Sequence, residues 1–410
     1  MLRDFRKAGH GPTLAASFLY FDVSFMVWVL LGPLGPFIGE ALKLTAARKG
    51  LLTAVPLLGG SLFRPVLGWL TERIGGRATG LIGLALTLLP LLAGWKFAAE
   101  FSGFLIVGVL LGIAGASFAA ALPLASAWYP PEYQGLAMGI AGAGNTGTML
   151  AALFAPRLAN VFGWRNVFGI AMIPVALVWV AFFLMAKDAP VPRRVKRWSE
   201  YANLFHESDT AWFCFFYGLT FGGFAGLASY LPVFFHDQYS LSKVQAGDCT
   251  TAAVVFGSFL RPIGGVLADR IGGYRMLLAL LGGAAIFLAA VIALPPLPVV
   301  LLALVLTMSM LGMGNGSVFQ LVPQRFPTRV GIMTGIVGAA GGFGGFLLPS
   351  MLGIVKDRTG SFGPGFAILS LAAFAGVLAL GFLGRVWRRT WTPESASRAG
   401  LRKLVGSAVR

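Results

Sequence analysis

The sequence contains few charged residues. Asp, Glu, Lys and Arg make up 11% of its 410 residues, against about 25% in soluble domains. Hydrophobic residues make up 57%, and the mean hydropathy is +0.80. This composition excludes a disordered chain and argues against a soluble enzyme, so we predict an integral membrane protein. The net charge of +17 then indicates basic loops beside membrane spans rather than binding to nucleic acid.

Cysteine and histidine are also scarce. The two cysteines, Cys214 and Cys249, provide neither a disulfide framework nor the spacing of metal ligands. The three histidines, His10, His206 and His236, lie in loops or at span ends and also lack metal-ligand spacing. No Ser-His-Asp arrangement or phosphate-binding loop occurs. We therefore predict that the protein is not an enzyme and binds no cofactor or metal.

Long apolar runs dominate the chain. A bilayer core takes about 20 apolar residues per helix, and runs of that length form two groups of six on either side of a polar stretch. They lie near 13–38, 49–71, 77–97, 102–126, 135–160 and 165–186, then 211–235, 245–268, 274–294, 297–319, 330–355 and 362–384. The predicted fold is an all-α membrane protein of twelve spans. Its parts are a six-helix bundle at 1–186, a cytoplasmic linker at 187–210, a second six-helix bundle at 211–385, and a basic cytoplasmic tail at 386–410.

The distribution of Lys and Arg predicts the orientation. The termini and even-numbered loops carry 21 of these residues, and the odd-numbered loops and helix ends carry nine. Since cytoplasmic loops are enriched in Lys and Arg, both termini and the linker should be cytoplasmic, and the tail should lie at the cytoplasmic lipid surface. Lys43, Arg48 and Lys49 on one outer loop are exceptions. The first run carries Asp22 and lacks a small-residue cleavage site, so it is predicted to be a span and not a signal peptide.

The two halves repeat one another. Arg64-Pro65 recurs as Arg261-Pro262, and Glu72–Gly76 recurs as Asp269–Gly273, both at an offset of 197. A chance similarity between glycine-rich apolar segments is a poor explanation for arginine and acidic residues that recur at the same offset. A six-helix unit is therefore present twice, and such repeats place a substrate site at their interface near mid-membrane.

Three charged residues lie deep within predicted spans: Asp22, Arg64 and Arg261. At 1.5 Å of rise per residue, each lies about 12–13 Å from the cytoplasmic end of its span. A charge at this depth is costly and indicates a functional site. Two arginines favour an anion, and their planar forks suit carboxylate, nitrate or nitrite. Alternatively, one arginine pairs permanently with Asp22, which would leave the other arginine without a partner.

Two spans contain unusually many glycines. Small residues four apart allow close packing of membrane helices, so we expect both spans to press against neighbours, including those that carry the arginines. The glycines of the first of these two spans also match a dinucleotide-binding pattern. We discount this match, because no predicted strand precedes the glycines. The signature glycines are Gly139, Gly142, Gly144 and Gly147 in the fifth span and Gly335, Gly338, Gly341 and Gly342 in the eleventh.

The duplicated Gly68–Gly76 and Gly265–Gly273 segments resemble the loop signature of the major facilitator superfamily. Within it, Gly139–Gly147, Gly335–Gly345 and the first span resemble the nitrate/nitrite porter family. The resemblance implies alternating access, with nitrate and nitrite as substrates and the bacterial inner membrane as location. It also implies a protein that works as a monomer without a cofactor.

The resemblance further implies a set of substrate residues. Two arginines would bind the anion's oxygens, an asparagine and a tyrosine would donate neutral hydrogen bonds, and two phenylalanines would form flat walls. For the aromatic residues, ordinary packing between helices is the competing interpretation. The residues on these positions are Arg64, Arg261, Asn145, Tyr217, Phe118 and Phe221.

Asp22 is the candidate for proton coupling, because a buried carboxylate can take up a proton and neighbouring arginines oppose this. It favours nitrate/proton symport. Obligatory nitrate/nitrite antiport, which needs no proton carrier, remains the alternative. A carrier of small organic anions with the same fold is a further alternative, and a passive anion channel a weaker one.

Overall fold

The computed structural model describes residues 5, 7–190, 207–327 and 329–401, and all regular structure in them is helical. Eleven segments of these residues are long and apolar enough to cross a bilayer. Spans are numbered here in chain order. Spans 2 to 6 comprise Ala46–Ile74, Gly76–Lys96, Phe101–Gly115 with Phe118–Ser126, Pro131–Gly142 with Gly147–Phe162, and Trp164–Met185. Spans 7 to 12 comprise Ser208–Tyr217 with Gly223–Tyr239, Lys243–Ile271, Gly273–Val291, Leu297–Arg325, Val330–Thr359 and Gly363–Thr390.

Span 1, predicted as one run at 13–38, is interrupted. It consists of helix Gly11–Trp28, a series of turns, and the short helix Gly35–Ala41. Proline in the intervening segment removes a backbone N–H and so breaks the helix. Gly32 lies within these turns and has no Cβ atom. If it carried one, that atom would lie 2.6 Å from the carbonyl oxygen of Ser229 in span 7, which is too close for any other residue. The break therefore lets span 1 approach the C-terminal half of the chain closely.

The ends of the spans define two faces of the molecule. The terminal face holds the ends of spans 2 and 8, at Ile74 and Ile271, and the opposite end of the bundle is the far face. On the terminal face, Gly75 and Gly272 adopt φ of +95° and +91°. Glycine tolerates these angles where other residues are strained. The repeated Arg-Ile-Gly-Gly segment thus forms the sharp turn that joins consecutive spans in each half.

Glycine contacts hold the two arginine-bearing spans against their neighbours. A Cβ atom on Gly112 of span 4 would lie 2.1 Å from the carbonyl carbon of Gly59 in span 2. In the second half, a Cβ atom on Gly312 of span 10 would lie 2.0 Å from the carbonyl oxygen of Gly257 in span 8. Backbone therefore packs directly on backbone in both halves, as small residues permit in membrane helices.

The beginning of the tail docks on the terminal face. Residues Pro393–Arg398 form a short helix, and the carbonyl oxygen of Ala399 accepts a 3.0 Å hydrogen bond from the N–H of Tyr274. Most of the predicted linker, 191–206, and the end of the tail, 402–410, lie outside the described residues. The division of the chain at 187–210 and 386–410 stays a prediction.

Candidate functional site

Arg64 lies in span 2 with 3% of its surface exposed. Span 4 breaks just after Gly115, and the N–H of Ala119 donates to Ala116 instead of Gly115. The Gly115 carbonyl oxygen instead accepts a 3.3 Å hydrogen bond from Arg64 Nε. Arg64 Nη1 donates to the carbonyl oxygen of Gly338 in span 11. The guanidinium group therefore bridges the two halves of the chain through backbone carbonyls.

Three aromatic rings surround the same guanidinium group. Its central carbon lies 4.9 Å from the ring centroid of Phe221, 5.5 Å from Trp28 and 5.8 Å from Phe118. Ring faces are electron-rich and stabilise a nearby cation. No acidic side chain of the described residues lies within 4.0 Å of Arg64 or Arg261 in an ion pair. The positive charge at Arg64 is thus held by ring faces and carbonyl dipoles, and no carboxylate neutralises it.

Arg261 in span 8 approaches the same ring. Its guanidinium carbon lies 6.0 Å from the centroid of Phe221. Its Nη1 atom is buried and has no hydrogen-bond partner among the described residues. The two predicted arginines thus converge on one aromatic ring, and one of them has a free donor.

Span 7 departs from regular α-helix where it contributes to the site. Residues Gly218–Gly222 form a π-turn that follows Tyr217 and includes Phe221, a feature that is frequent at functional sites. The two rings stack with centroids 5.1 Å apart and planes within 3°. The π-turn therefore presents both predicted aromatic residues of span 7 on one surface.

Asn145 lies where span 5 changes its helical form. Residues Ala143–Thr146 form a 3-10 turn between helices Pro131–Gly142 and Gly147–Phe162, and this turn packs against span 8. Asn145 is 1% exposed, and neither its amide nitrogen nor its amide oxygen has a partner among the described residues. A buried amide without a partner is destabilising, so it is expected where a ligand binds.

Two aromatic residues at the site were not predicted from sequence. Phe319 of span 10 makes an edge contact with Tyr217 at 4.8 Å and stacks on Phe118 at 6.1 Å, across the two halves. Trp28, which ends the first helix, stacks on Phe221 at 6.3 Å. Phe319 lies 201 residues after Phe118 and not at the repeat's offset of 197, so the repeat gives no signal for it.

Asp22 contacts span 5 and neither arginine. Its carboxylate accepts a 2.6 Å hydrogen bond from the hydroxyl of Thr146. The alternative in which Asp22 pairs permanently with an arginine does not occur in this conformation. The carboxylate is instead bonded to the residue next to Asn145, so a change in its charge would act directly on the 3-10 turn.

The signature glycines fall into two classes by what surrounds them. Gly144 and Gly147 face the backbone of Asp22, Gly341 faces the ring of Tyr217, Gly342 faces the backbone of span 2, and Gly338 lies beside Arg64 and Phe118. A Cβ atom on Gly139, Gly142 or Gly335 would meet no described atom within 4 Å. Span 11 thus presses on spans 7 and 2, as expected for a neighbour that carries an arginine. The signature glycines of span 5 face span 1, and span 5 also packs closely on span 8, which carries Arg261: a Cβ atom on Gly247 would lie 2.6 Å from the carbonyl oxygen of Ala152.

The halves pack tightly between the arginine layer and the far face. The hydroxyl of Ser61 donates to the carbonyl oxygen of Ala339, and the Asp357 carboxylate accepts 2.9 Å hydrogen bonds from the N–H groups of Ala46 and Ala47. Further ion pairs near the far face join Lys49 to Asp237, Arg157 to Asp248, and Lys243 to Glu40. The signature glycines with open surroundings, Gly139, Gly142 and Gly335, lie on the other side of the layer, so the halves pack less closely toward the terminal face.

Comparison with known proteins gives a consistent picture. A sequence profile of the Major Facilitator Superfamily matches residues 16–349. The chain is 37% identical over 345 residues to a probable nitrate/nitrite transporter, NarK2, of Mycobacterium tuberculosis, which covers 82% of this chain and 86% of that one. It is 34% identical over 357 residues to a nitrite extrusion protein of Bacillus subtilis, covering 86% and 89%. It is 31% identical over 380 residues to a probable nitrate transporter, NarT, of Staphylococcus carnosus, covering 91% and 95%.

Proposed function

Because the chain belongs to the Major Facilitator Superfamily, among its nitrate and nitrite transporters, we propose that it carries nitrate and nitrite across the bacterial cytoplasmic membrane by alternating access. The family membership confirms the predicted fold class and the prediction that the protein is a transporter and not an enzyme. The protein is proposed to act as a monomer.

The observation that carries the substrate assignment is the convergence of Arg64 and Arg261 on the ring of Phe221, at 4.9 and 6.0 Å. Guanidinium forks bind planar oxyanions through paired hydrogen bonds. Asn145 supplies an amide that adds no charge. The rings of Phe118 and Phe319, with centroids 6.1 Å apart, leave little room between the halves. This narrow, flat site favours nitrate and nitrite over larger organic anions.

Exchange of each arginine for lysine tests the assignment, because lysine keeps the charge and loses the fork. We expect Arg64→Lys and Arg261→Lys each to lose about 1.5–3 kcal/mol of anion binding, the value of one hydrogen bond to a charged group. This corresponds to about a 10- to 150-fold rise in the KM for nitrate uptake. If both variants take up nitrate like the wild type, the site is wrongly assigned.

Competition for nitrate uptake tests the organic-anion alternative. If formate or oxalate competes as strongly as nitrite, an organic-anion carrier would be favoured.

The proposed orientation places the terminal face in the cytoplasm, so the conformation described is open to the inside. The ion pairs near the far face support this arrangement. Lys49, which is an exception to the charge distribution of cytoplasmic loops, pairs at 2.7 Å with Asp237 of the other half. Its charge is therefore accounted for by an interaction that closes the far face.

Proton symport is the proposed driving mechanism, with Asp22 as the proton acceptor. The 2.6 Å hydrogen bond from Thr146 to Asp22 supports it. A carboxylate accepts this bond, whereas a protonated carboxyl group can donate one instead. Protonation therefore alters the contact between span 1 and the 3-10 turn that holds Asn145. Proton uptake and anion binding would be linked through two consecutive residues of span 5.

Obligatory nitrate/nitrite antiport is the second candidate, and a different observation favours it. Arg64 donates to Gly338 and Ser61 donates to Ala339, so span 2 is tied to span 11 beside the site. An anion that replaces the Gly338 carbonyl at Arg64 would release one of these ties. A carrier that reorients only after this release would exchange anions and need no proton.

Transport into lipid vesicles separates the two mechanisms. Under symport, nitrate uptake into vesicles without internal nitrite should rise with an inward proton gradient, and Asp22→Asn should remove this dependence. Under antiport, uptake should require internal nitrite and ignore the gradient. Thr87→Val is a matched control, because the Thr87 hydroxyl is buried and donates only within its own helix.

A further inference from the structure

Three neighbouring polar groups on spans 7, 8 and 10 are buried without a hydrogen-bond partner among the described residues. They are both amide atoms of Asn315, the hydroxyl of Thr220, and Nη1 of Arg261. Asn315 and Thr220 are both 0% exposed. Leaving such groups unpaired in a protein interior costs free energy, and where this occurs in a native structure it calls for a specific reason.

The backbone of span 10 places Asn315 between the other two groups. A Cβ atom on Gly314 would lie 2.7 Å from Cγ2 of Thr220, and one on Gly316 would lie 3.2 Å from the carbonyl oxygen of Arg261. The residue between them is Asn315. Its Cα therefore lies level with Thr220 on one side and with Arg261 on the other.

The helical position of Asn315 places it on the face of span 10 that lies at the candidate site. Residues four apart on a helix lie on one face, so Asn315 shares a face with Phe319. The ring of Phe319 contacts Tyr217 at 4.8 Å and Phe118 at 6.1 Å, which places that face at the candidate site. Asn315 thus lies one turn farther along the same face, toward the far side of the arginine layer.

We propose that Asn315 is a further anion-binding residue. Its amide nitrogen donates a hydrogen bond to the anion held by Arg261, and its amide oxygen accepts one from the free Nη1 of Arg261. The C-terminal half then contributes a charged fork and a neutral donor, as Arg64 and Asn145 do in the N-terminal half. This inference rests on the proposed function, because it assumes an oxyanion at the arginine pair.

A purely structural role predicts the opposite effect on stability. An asparagine that only holds helices together should have partners on those helices, and its removal should destabilise the fold. Replacement of an unpaired buried amide by an apolar side chain of similar size is instead neutral or stabilising. Residues that serve function at the expense of stability behave in this way.

The test uses the purified full-length protein with sodium nitrate, measuring the nitrate-induced rise in Tm and the KM and Vmax of uptake into vesicles. For Asn315→Leu we expect an unchanged or higher Tm without nitrate, and a KM raised about 10- to 150-fold, the effect of losing one hydrogen bond to a charged group. Asn315→Asp should abolish the nitrate-induced shift, because its carboxylate would pair with Arg261. Thr307→Val is the matched control on the same helix, since the Thr307 hydroxyl is buried and bonded to Ala303.

The outcomes separate this inference from the proposed function. If the wild type shows no nitrate-induced shift and no nitrate uptake, the proposed function itself fails. If the wild type transports nitrate and Asn315→Leu keeps its KM, Asn315 is not a binding residue. A lowered Tm with an unchanged KM would also overturn the inference, because it would show that Asn315 has a structural role. Asn315→Ser, which retains a shorter polar group, provides the same KM comparison if the leucine variant does not fold.

Discussion

Gly50 in span 2 should control how readily the far face opens. A Cβ atom on Gly50 would lie 2.4 Å from the carbonyl oxygen of Pro349 and 3.2 Å from Cα of Gly353, both in span 11. These are backbone atoms and cannot move aside like a flexible side chain. The methyl group of Gly50→Ala can therefore be accommodated only if spans 2 and 11 separate, which is the movement that opens the far face.

The expected shift follows from the cost of overpacking. Inserting a methyl group into a well-packed interface costs about 1–3 kcal/mol. Since about 1.4 kcal/mol corresponds to a factor of ten, Gly50→Ala should shift the equilibrium about 5- to 150-fold away from the conformation closed at the far face. Gly335→Ala should act in the opposite direction. Its Cβ atom would have free space in this conformation and would be crowded when the terminal face closes.

Labelling of a single cysteine measures this equilibrium. Leu57 is fully buried, and its backbone lies 3.1 Å from the Cβ position of Gly342 across the interface. In a background with Cys214→Ser and Cys249→Ser, a Leu57→Cys reporter should react with a membrane-impermeant maleimide from the far face only when the halves separate. Relative to this reporter alone, labelling should be faster with Gly50→Ala and slower with Gly335→Ala.

The reasoning would be refuted by equal labelling rates in both variants. It would also be refuted if Gly50→Ala lowered the Tm of the purified protein without changing the rate, because the methyl group would then strain a fixed interface. The two variants carry the same chemical change on facing spans. A difference between them must therefore come from the conformation in which each methyl group has space.

Three further predictions concern single side chains. The Lys243 ammonium, which donates to Glu40, holds the pKa of Glu40 below its usual value, so this pair stabilises the far-face-closed conformation above about pH 4.3 and loses that effect as the pH falls through the lowered pKa. Acidification should thus accelerate far-face labelling of the Leu57→Cys reporter, and adding Glu40→Gln should reduce this acceleration by the share that the Lys243–Glu40 pair contributes. Trp28→Phe removes a buried 2.6 Å hydrogen bond to Pro56 and should destabilise the purified protein by about 1 kcal/mol, seen as a lower Tm. Phe319→Ala removes the ring that stacks across the halves and should raise nitrate efflux under zero-trans conditions; unchanged efflux would exclude Phe319 as a barrier on the terminal side.

Composition and the lengths of the apolar runs were sufficient to predict the overall fold, because helices that span a bilayer need about 20 apolar residues. The break of span 1 after Trp28 was missed, because the apolar run continues through the prolines and hydropathy does not register a missing N–H. The helix break after Gly115 was missed for a similar reason. At this break the N–H of Ala119 donates to the carbonyl oxygen of Ala116, while the carbonyl oxygen of Gly115 bonds to Arg64 of span 2. This contact with span 2 is not visible in the sequence of span 4.

Within the candidate site, the charged residues could be found from sequence and the neutral ones only in part. Arg64 and Arg261 stand out because charges are rare in spans and because they recur at a fixed offset. Asn315 has no such signal, since asparagine is one of many polar residues of the spans. Its relevance depends on the absence of partners, which only a three-dimensional arrangement can show. Trp28 was similarly hidden in an aromatic-rich helix.

The uncompensated charge at the arginine layer has an electrical consequence. With Asp22 ionised, the three deep charges sum to one positive charge, and with Asp22 protonated they sum to two. A bound monovalent anion lowers each value by one. When the carrier reorients, this charge moves through part of the membrane field, which acts on one elementary charge with about 2.3 kcal/mol per 100 mV. A negative potential on the side of the terminal face therefore favours the conformation described here. In one-to-one proton symport, the empty carrier has Asp22 ionised, and the loaded carrier has Asp22 protonated and the anion bound. Both would carry one positive charge, so the membrane potential would act equally on the two reorientation steps.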